Sequence, residues 1–216
     1  ILFSTLHIFC SYYFCYLIWK DAKPATFPEK RMLRTALFFM VFSTLGVWCL
    51  GPAVGIMGKA SAFYQIAIQF FLHFQFNGWF LFAVLALFFK QSKLKIDDKK
   101  FRLFYNLFVT ATVLTLALPV SWSLSNPIFY WINVVGVVIQ LFSAILFIQL
   151  IQPQFQAFFS PLSPLEKTVY RFALLSLALK IIIQLVVLVP ELAQVSHEIR
   201  NFVIGYIHLT MLGIIT

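Results

Sequence analysis

Uninterrupted apolar runs restrict the fold of this chain more than any other feature of its sequence. The stretch from Ile128 to Ile151 contains no charged side chain. A helix needs roughly 20 such residues to cross the hydrocarbon of a bilayer, whereas the strands of a membrane barrel alternate apolar and polar residues in short segments. A soluble domain would need polar side chains to clothe it, and here 62% of residues are hydrophobic and 11% charged, with a mean hydropathy of +0.92. The expected fold class is all-α, a polytopic transmembrane helix bundle embedded in lipid.

Turn and cap signals divide the chain into seven expected spans, near 1–19, 32–50, 61–89, 102–122, 128–151, 168–189 and 199–216. Gly51-Pro52 is expected to end the second. Asn126-Pro127 reads as an N-cap followed by proline at the first helical position. Ser163-Pro164-Leu165-Glu166 reads as a capping box with the same proline, and Pro190 is expected to close the sixth. Residues 1–216 read as one transmembrane domain. Because the sequence opens on Ile1 and stops at Thr216 within an apolar run, it is expected to be the middle of a longer protein.

The net charge of +9 is distributed by loop. Lys20, Lys23, Lys30, Arg31 and Arg34 fall in one connection, and Lys90, Lys93, Lys95, Lys99, Lys100 and Arg102 in a second. Lys167 and Arg171 fall in a third on the same side, while the opposite side carries Lys59 and Arg200. By the positive-inside rule the basic loops are cytoplasmic, with the N-terminus outside, the C-terminus inside and Trp48, Trp122 and Trp131 at the outer interface. The charge therefore reports topology, not nucleic acid, and the expected location is a bacterial inner membrane. No carboxylate falls within an expected span, which argues against a pump driven by buried acids. Cys10, Cys15 and Cys49 have neither metal-like nor disulfide-like spacing and read as small core residues.

The pattern His-apolar-x-apolar-x-Gly occurs twice, as His73-Phe74-Gln75-Phe76-Asn77-Gly78 and as His208-Leu209-Thr210-Met211-Leu212-Gly213. An ionisable ring at membrane depth is expensive and marks a candidate functional site. Each glycine leaves room for something flat or for a second backbone. The repeat suggests a fold built from copies of one unit, with both imidazoles looking into a common pocket. Gln65, Gln69, His73 and Asn77, four apart, make a polar stripe on the third span. Either the amides orient His73 as a cofactor ligand, or the stripe bonds neighbouring helices without any ligand. His208 stands near Gly205, Met211 and Gly213. Lys180, at the centre of the sixth span, has Ser176 and Gln184 four residues to either side. It reads as a proton-pathway group or as a lysine bonded to polar neighbours. Asn106, Asn133 and Gln140 read as interhelical glue, with Gly136 marking close packing. His7 has no companion motif, and His197 sits at an outer helix end.

The phrases Phe71-Leu72-His73-Phe74-Gln75-Phe76-Asn77-Gly78-Trp79-Phe80 and Gly205-Tyr206-Ile207-His208-Leu209-Thr210-Met211-Leu212-Gly213 resemble helices six and ten of the catalytic subunits of the heme–copper oxidase and nitric oxide reductase superfamily. That resemblance implies helices four to ten of twelve and a pseudo-repeat of four helices. It places His208 at the low-spin heme position, whose family partner lies on helix two. Tyr206 stands where the high-spin heme ligand belongs, the counterpart of helix seven has no histidine, and the copper set is otherwise absent. The resemblance therefore implies heme without copper chemistry, with His73 and His208 as metal ligands and Gln69, Asn77 and Met211 beside them.

Three functions follow as expectations. The first is heme-based electron transfer or gas sensing, with a redox partner or companion subunit. The second is a small-solute carrier or channel whose polar stripe lines a path and whose histidines bind solute or protons, with Gln65, Lys180 and Gln184 as further intramembrane polar residues. The third is a cofactor-free structural membrane subunit. A conventional oxygen or nitric oxide reductase is disfavoured.

Overall fold

A computed structural model describes residues 2–22 and 26–215, with the backbone alone at 2–4, 194–197, 200 and 215. Lys23 and the side chains of His197 and Arg200 lie outside the described part. The chain is helical, with no strand among the described residues, and divides into two compact units, Ile1–Gln91 and Ser92–Thr216. Among the described residues, five stretches are long and apolar enough to cross a membrane: Phe27–Ile56, Ala62–Ser92, Asp98–Ser121, Pro127–Phe159 and Pro164–Val186. They match the second to sixth expected spans and support the reading of an integral membrane protein in contact with lipid.

The first unit contains α1 (Leu2–Asp21), α2 (Phe27–Ile56), α3 (Ala62–His73), a π-helical segment (Phe74–Phe80) and α4 (Leu81–Ser92). α2 begins five residues before the expected boundary because Thr26 and Glu29 form a capping box inside the charged loop, with Pro28 in the first turn. It also continues past Gly51-Pro52, which was expected to end it. Pro52 lacks one N–H donor, but the helix runs on to Ile56, and the stop is Gly58, whose φ of +80° suits a residue without Cβ.

α2 lies between its neighbours. Against α1, the Tyr12 hydroxyl bonds Thr44 Oγ1 at 2.6 Å, and Trp48 Nε1 donates to Tyr12 at 3.0 Å. Against α3, the π segment and α4, Phe39, Phe42, Phe70, Phe74 and Phe82 form a ring cluster with centroids about 5 Å apart, including stacked Phe39 and Phe74 at 5.3 Å. Small residues permit this approach, as is usual where lipid removes the hydrophobic drive for helix association. A Cβ on Gly46 would stand 2.5 Å from the Ala67 carbonyl oxygen.

The second unit contains α5 (Asp98–Leu114), α6 (Ala117–Ser121), α7 (Pro127–Ile151), a 3₁₀ turn (Gln152–Gln154), α8 (Phe155–Phe159), α9 (Pro164–Val186), α10 (Pro190–Glu198) and α11 (Arg200–Ile215). The expected caps are present: Asn126 Oδ1 accepts from Ile128 N at 3.0 Å, and Ser163 and Glu166 cap each other. Proline sets the breaks from four residues downstream, where its ring clashes with a carbonyl. Pro119 interrupts the expected 102–122 span after Leu114. Pro190 begins α10, and α9 ends at Val186, three residues before the predicted boundary. Asn133, Gln140 and Ser143 are buried on one face of α7, where α7 meets α5. A Cβ on Gly136 would stand 2.8 Å from Leu114 Cβ, so this is the close approach the sequence predicted. Asn106, predicted to join that glue, is exposed instead.

Candidate functional site

The two histidine motifs fold differently. At His73 the helix changes from α to π geometry, and the π segment spans the rest of the motif. Such segments often occur at functional positions. Bonds in a π-helix link residues five apart, so His73 and Gly78 lie one turn apart on one side, and both are buried. His208 and Gly213 have the same spacing on the regular helix α11, where five residues turn the chain about 140° away from alignment. His208 is exposed, and Gly213 is buried.

The spaces beside the two glycines are occupied by the chain itself. A Cβ on Gly78 would stand 2.7 Å from Phe39 Cγ, and one on Gly213 would stand 2.7 Å from Ser176 Cβ. Of the two uses expected for these glycines, a flat group or a second chain segment, the described residues show close helix–helix contact at both.

The imidazoles also differ in their partners. Asn77 Nδ2 faces His73 Nδ1 at 3.4 Å. The ring meets Phe74 edge-on at 5.2 Å and 87°. In α11, His208 Nδ1 lies 2.7 Å from the Ile204 carbonyl. A carbonyl can only accept, so Nδ1 carries the proton and Nε2 keeps its lone pair, the arrangement common in metal-ligating histidines.

The polar stripe on α3 divides. Gln65 is exposed in the first turn, where its Nε2 donates to Lys59 O at 3.0 Å. Gln69 and Asn77 are half-buried, and only His73 is buried. Gln75, which the stripe omitted, donates to buried Ser43 Oγ at 2.9 Å. The i, i+4 spacing of Gln75 with Phe71 and Trp79 concealed it, because its partner is on another helix.

α11 has two faces. Tyr206, Thr210 and Gly213 point toward α9, and Asn201, Gly205, His208 and Leu212 form an exposed face beside which Gly205 has open space. Met211 is half-buried between them. On α9, Ser176 and Lys180 are each 1% exposed. Lys180 Nζ donates to Gln184 Oε1 at 2.8 Å and lies 5.7 Å from the centroid of the Tyr206 ring. The Ser176–Lys180–Gln184 spacing was legible, but the facing set on α11 was not assembled from sequence. His7 is exposed, and among the described residues no three His, Cys, Asp or Glu side chains group as a metal site.

Compared with known families, curated proteins and solved structures, the chain finds no match.

Proposed function

We propose that this is a heme-binding integral membrane protein in which His208 would hold the heme iron, serving electron transfer or gas sensing without a binuclear copper centre. One observation carries the reading: an imidazole on the exposed face of α11 holds its proton on Nδ1 against the Ile204 carbonyl at 2.7 Å and keeps the Nε2 lone pair. The neighbouring Gly205 is open where a side chain would crowd a flat ligand, so the residues present fit the group. Bound heme supplies an iron whose potential the protein tunes through ligands, burial and hydrogen bonds. The Ile204 carbonyl fixes the ring orientation and raises the basicity of Nε2. Met211, one turn from His208, borders the same helix edge.

The resemblance to the heme–copper superfamily supplies the rest of the proposal. It comprises seven spans, including α1 and α11, a four-helix pseudo-repeat, basic loops on the cytoplasmic side of a bacterial inner membrane and a second heme-holding residue that would come from the counterpart of family helix two. His73, the other candidate ligand, contacts Asn77 through Nδ1 at 3.4 Å.

A second reading has its own support. Phe39 and Ser176 fill the glycine spaces of both motifs, as a cofactor-free structural subunit would require. Visible spectra of the purified protein, oxidised and dithionite-reduced, separate the two. The heme reading expects a Soret band that shifts on reduction and disappears in His208→Ala. A colourless protein with intact helical circular dichroism, expressed with ample heme, leaves the structural reading.

A further inference from the structure

α9 is the least buried of the five long apolar helices, with 11% of its apolar stretch buried against 33% or more in each of the others. Nevertheless it carries a buried lysine, Lys180, six residues before its end. Its two buried residues, Ser176 and Lys180, are one turn apart on a single face, and α11 covers that face. Gly213 brings the α11 backbone against the Ser176 side chain, Thr210 is 2% exposed, and the Tyr206 ring lies over Lys180 Nζ at 5.7 Å. Gln184, on α9 itself, supplies the amide oxygen at 2.8 Å. Without α11, the lysine would face hydrocarbon with that one amide beside it, a disfavoured state for a lysine within a span.

We propose that α9 and α11 enter and remain in the membrane as an obligate pair, with α11 acting as the cover that makes Lys180 tolerable in α9. The pair is a self-complementary intramembrane interface: a Ser176–Lys180 face on one helix meets a Tyr206–Thr210–Gly213 face on the other. Its dependence is directional. Removing the lysine frees α9 from α11, whereas loosening α11 ejects α9 only while the lysine is present.

The test uses the full chain with Cys10, Cys15 and Cys49 changed to serine and a single new cysteine, Leu165→Cys or Glu191→Cys, at either end of α9. A membrane-impermeant maleimide is applied to vesicles of both orientations. The two positions are expected to label from opposite faces, and labelling from one face would overturn the proposal by showing that α9 does not cross. Gly213→Leu, which wedges α11 away from Ser176, is expected to lower the ratio of crossing to non-crossing α9 by about tenfold or more. Adding Lys180→Leu is expected to restore it. Unchanged labelling in Gly213→Leu would overturn the proposal. So would a defect that Lys180→Leu does not repair, because the damage would then not pass through the lysine.

Discussion

The same six-residue pattern gives opposite results in the two units. Around His73 the helix widens into a π segment, so that the ring and Gly78 share a buried side. Around His208 the helix stays regular, Gly213 turns inward and the ring turns outward. The first motif is a packing element: its glycine receives Phe39, its histidine is held by Asn77 and Phe74, and its Gln75 bonds Ser43. The second separates two tasks on opposite faces, helix contact at Gly213 and an available nitrogen at His208. A repeated sequence pattern therefore does not repeat a geometry. The helix type between its residues decides which of them face together.

The largest expected effect tests that division directly. Under the heme reading, His208→Ala removes the Soret band entirely and leaves the helical circular dichroism unchanged. His73→Ala retains the band and instead lowers stability by about 1–3 kcal/mol, as loss of a buried ring contact does, measured by sodium dodecyl sulfate titration in mixed micelles. The comparison breaks if the two variants exchange phenotypes.

A smaller effect separates the two glycines. In Gly78→Ala the added Cβ meets Phe39, which Phe38, Phe74 and Phe82 confine. Overpacking a confined core costs about 1–3 kcal/mol. In Gly213→Ala the added Cβ meets Ser176 on α9, whose flanks are mostly open. A small shift of α11 relieves that contact, for an expected loss of about 1 kcal/mol or less. Gly55→Ala, with nothing within 4 Å, serves as the reference and is expected to change stability by less than about 0.5 kcal/mol. Equal losses at Gly78 and Gly213 would mean that the two contacts are equally rigid.

Local signals in the sequence were legible, and distant ones were not. The Ser163–Glu166 box and the Asn126 cap involve bonds across two or three residues, and both form as predicted. The capping box at Thr26–Glu29 was equally local but lay hidden in a charged loop. Gly51-Pro52 misled because a proline removes only one bond, whereas Gly58 ends α2 through its backbone angle. The π segment was not legible, since it accompanies the seating of Phe39 against Gly78 from another helix. Nor was the clamp in which the Gln154 side chain accepts from Lys95 N at 2.9 Å and donates to Lys95 O at 2.6 Å, across 59 residues. In the candidate site, periodicity found Ser176, Lys180 and Gln184 together, and only the packing of α11 showed what covers them.

The smallest predicted difference concerns two glutamines. Gln75 donates to Ser43 Oγ, and that hydroxyl itself donates to Met40 O at 2.7 Å. Gln75→Leu therefore leaves Ser43 with its acceptor, and the loss should be near the average intramembrane side-chain bond, about 0.6 kcal/mol. Gln184 instead accepts from Lys180, which is 1% exposed. Gln184→Leu removes an acceptor from a buried nitrogen, so its loss should exceed that of Gln75→Leu and fall to a similar small value when Lys180 is changed to leucine as well. This double-mutant cycle, read by the same detergent titration, isolates the pair. Additive losses at Lys180 and Gln184 would show that the 2.8 Å contact contributes nothing and that burial of the lysine is governed by α11 alone.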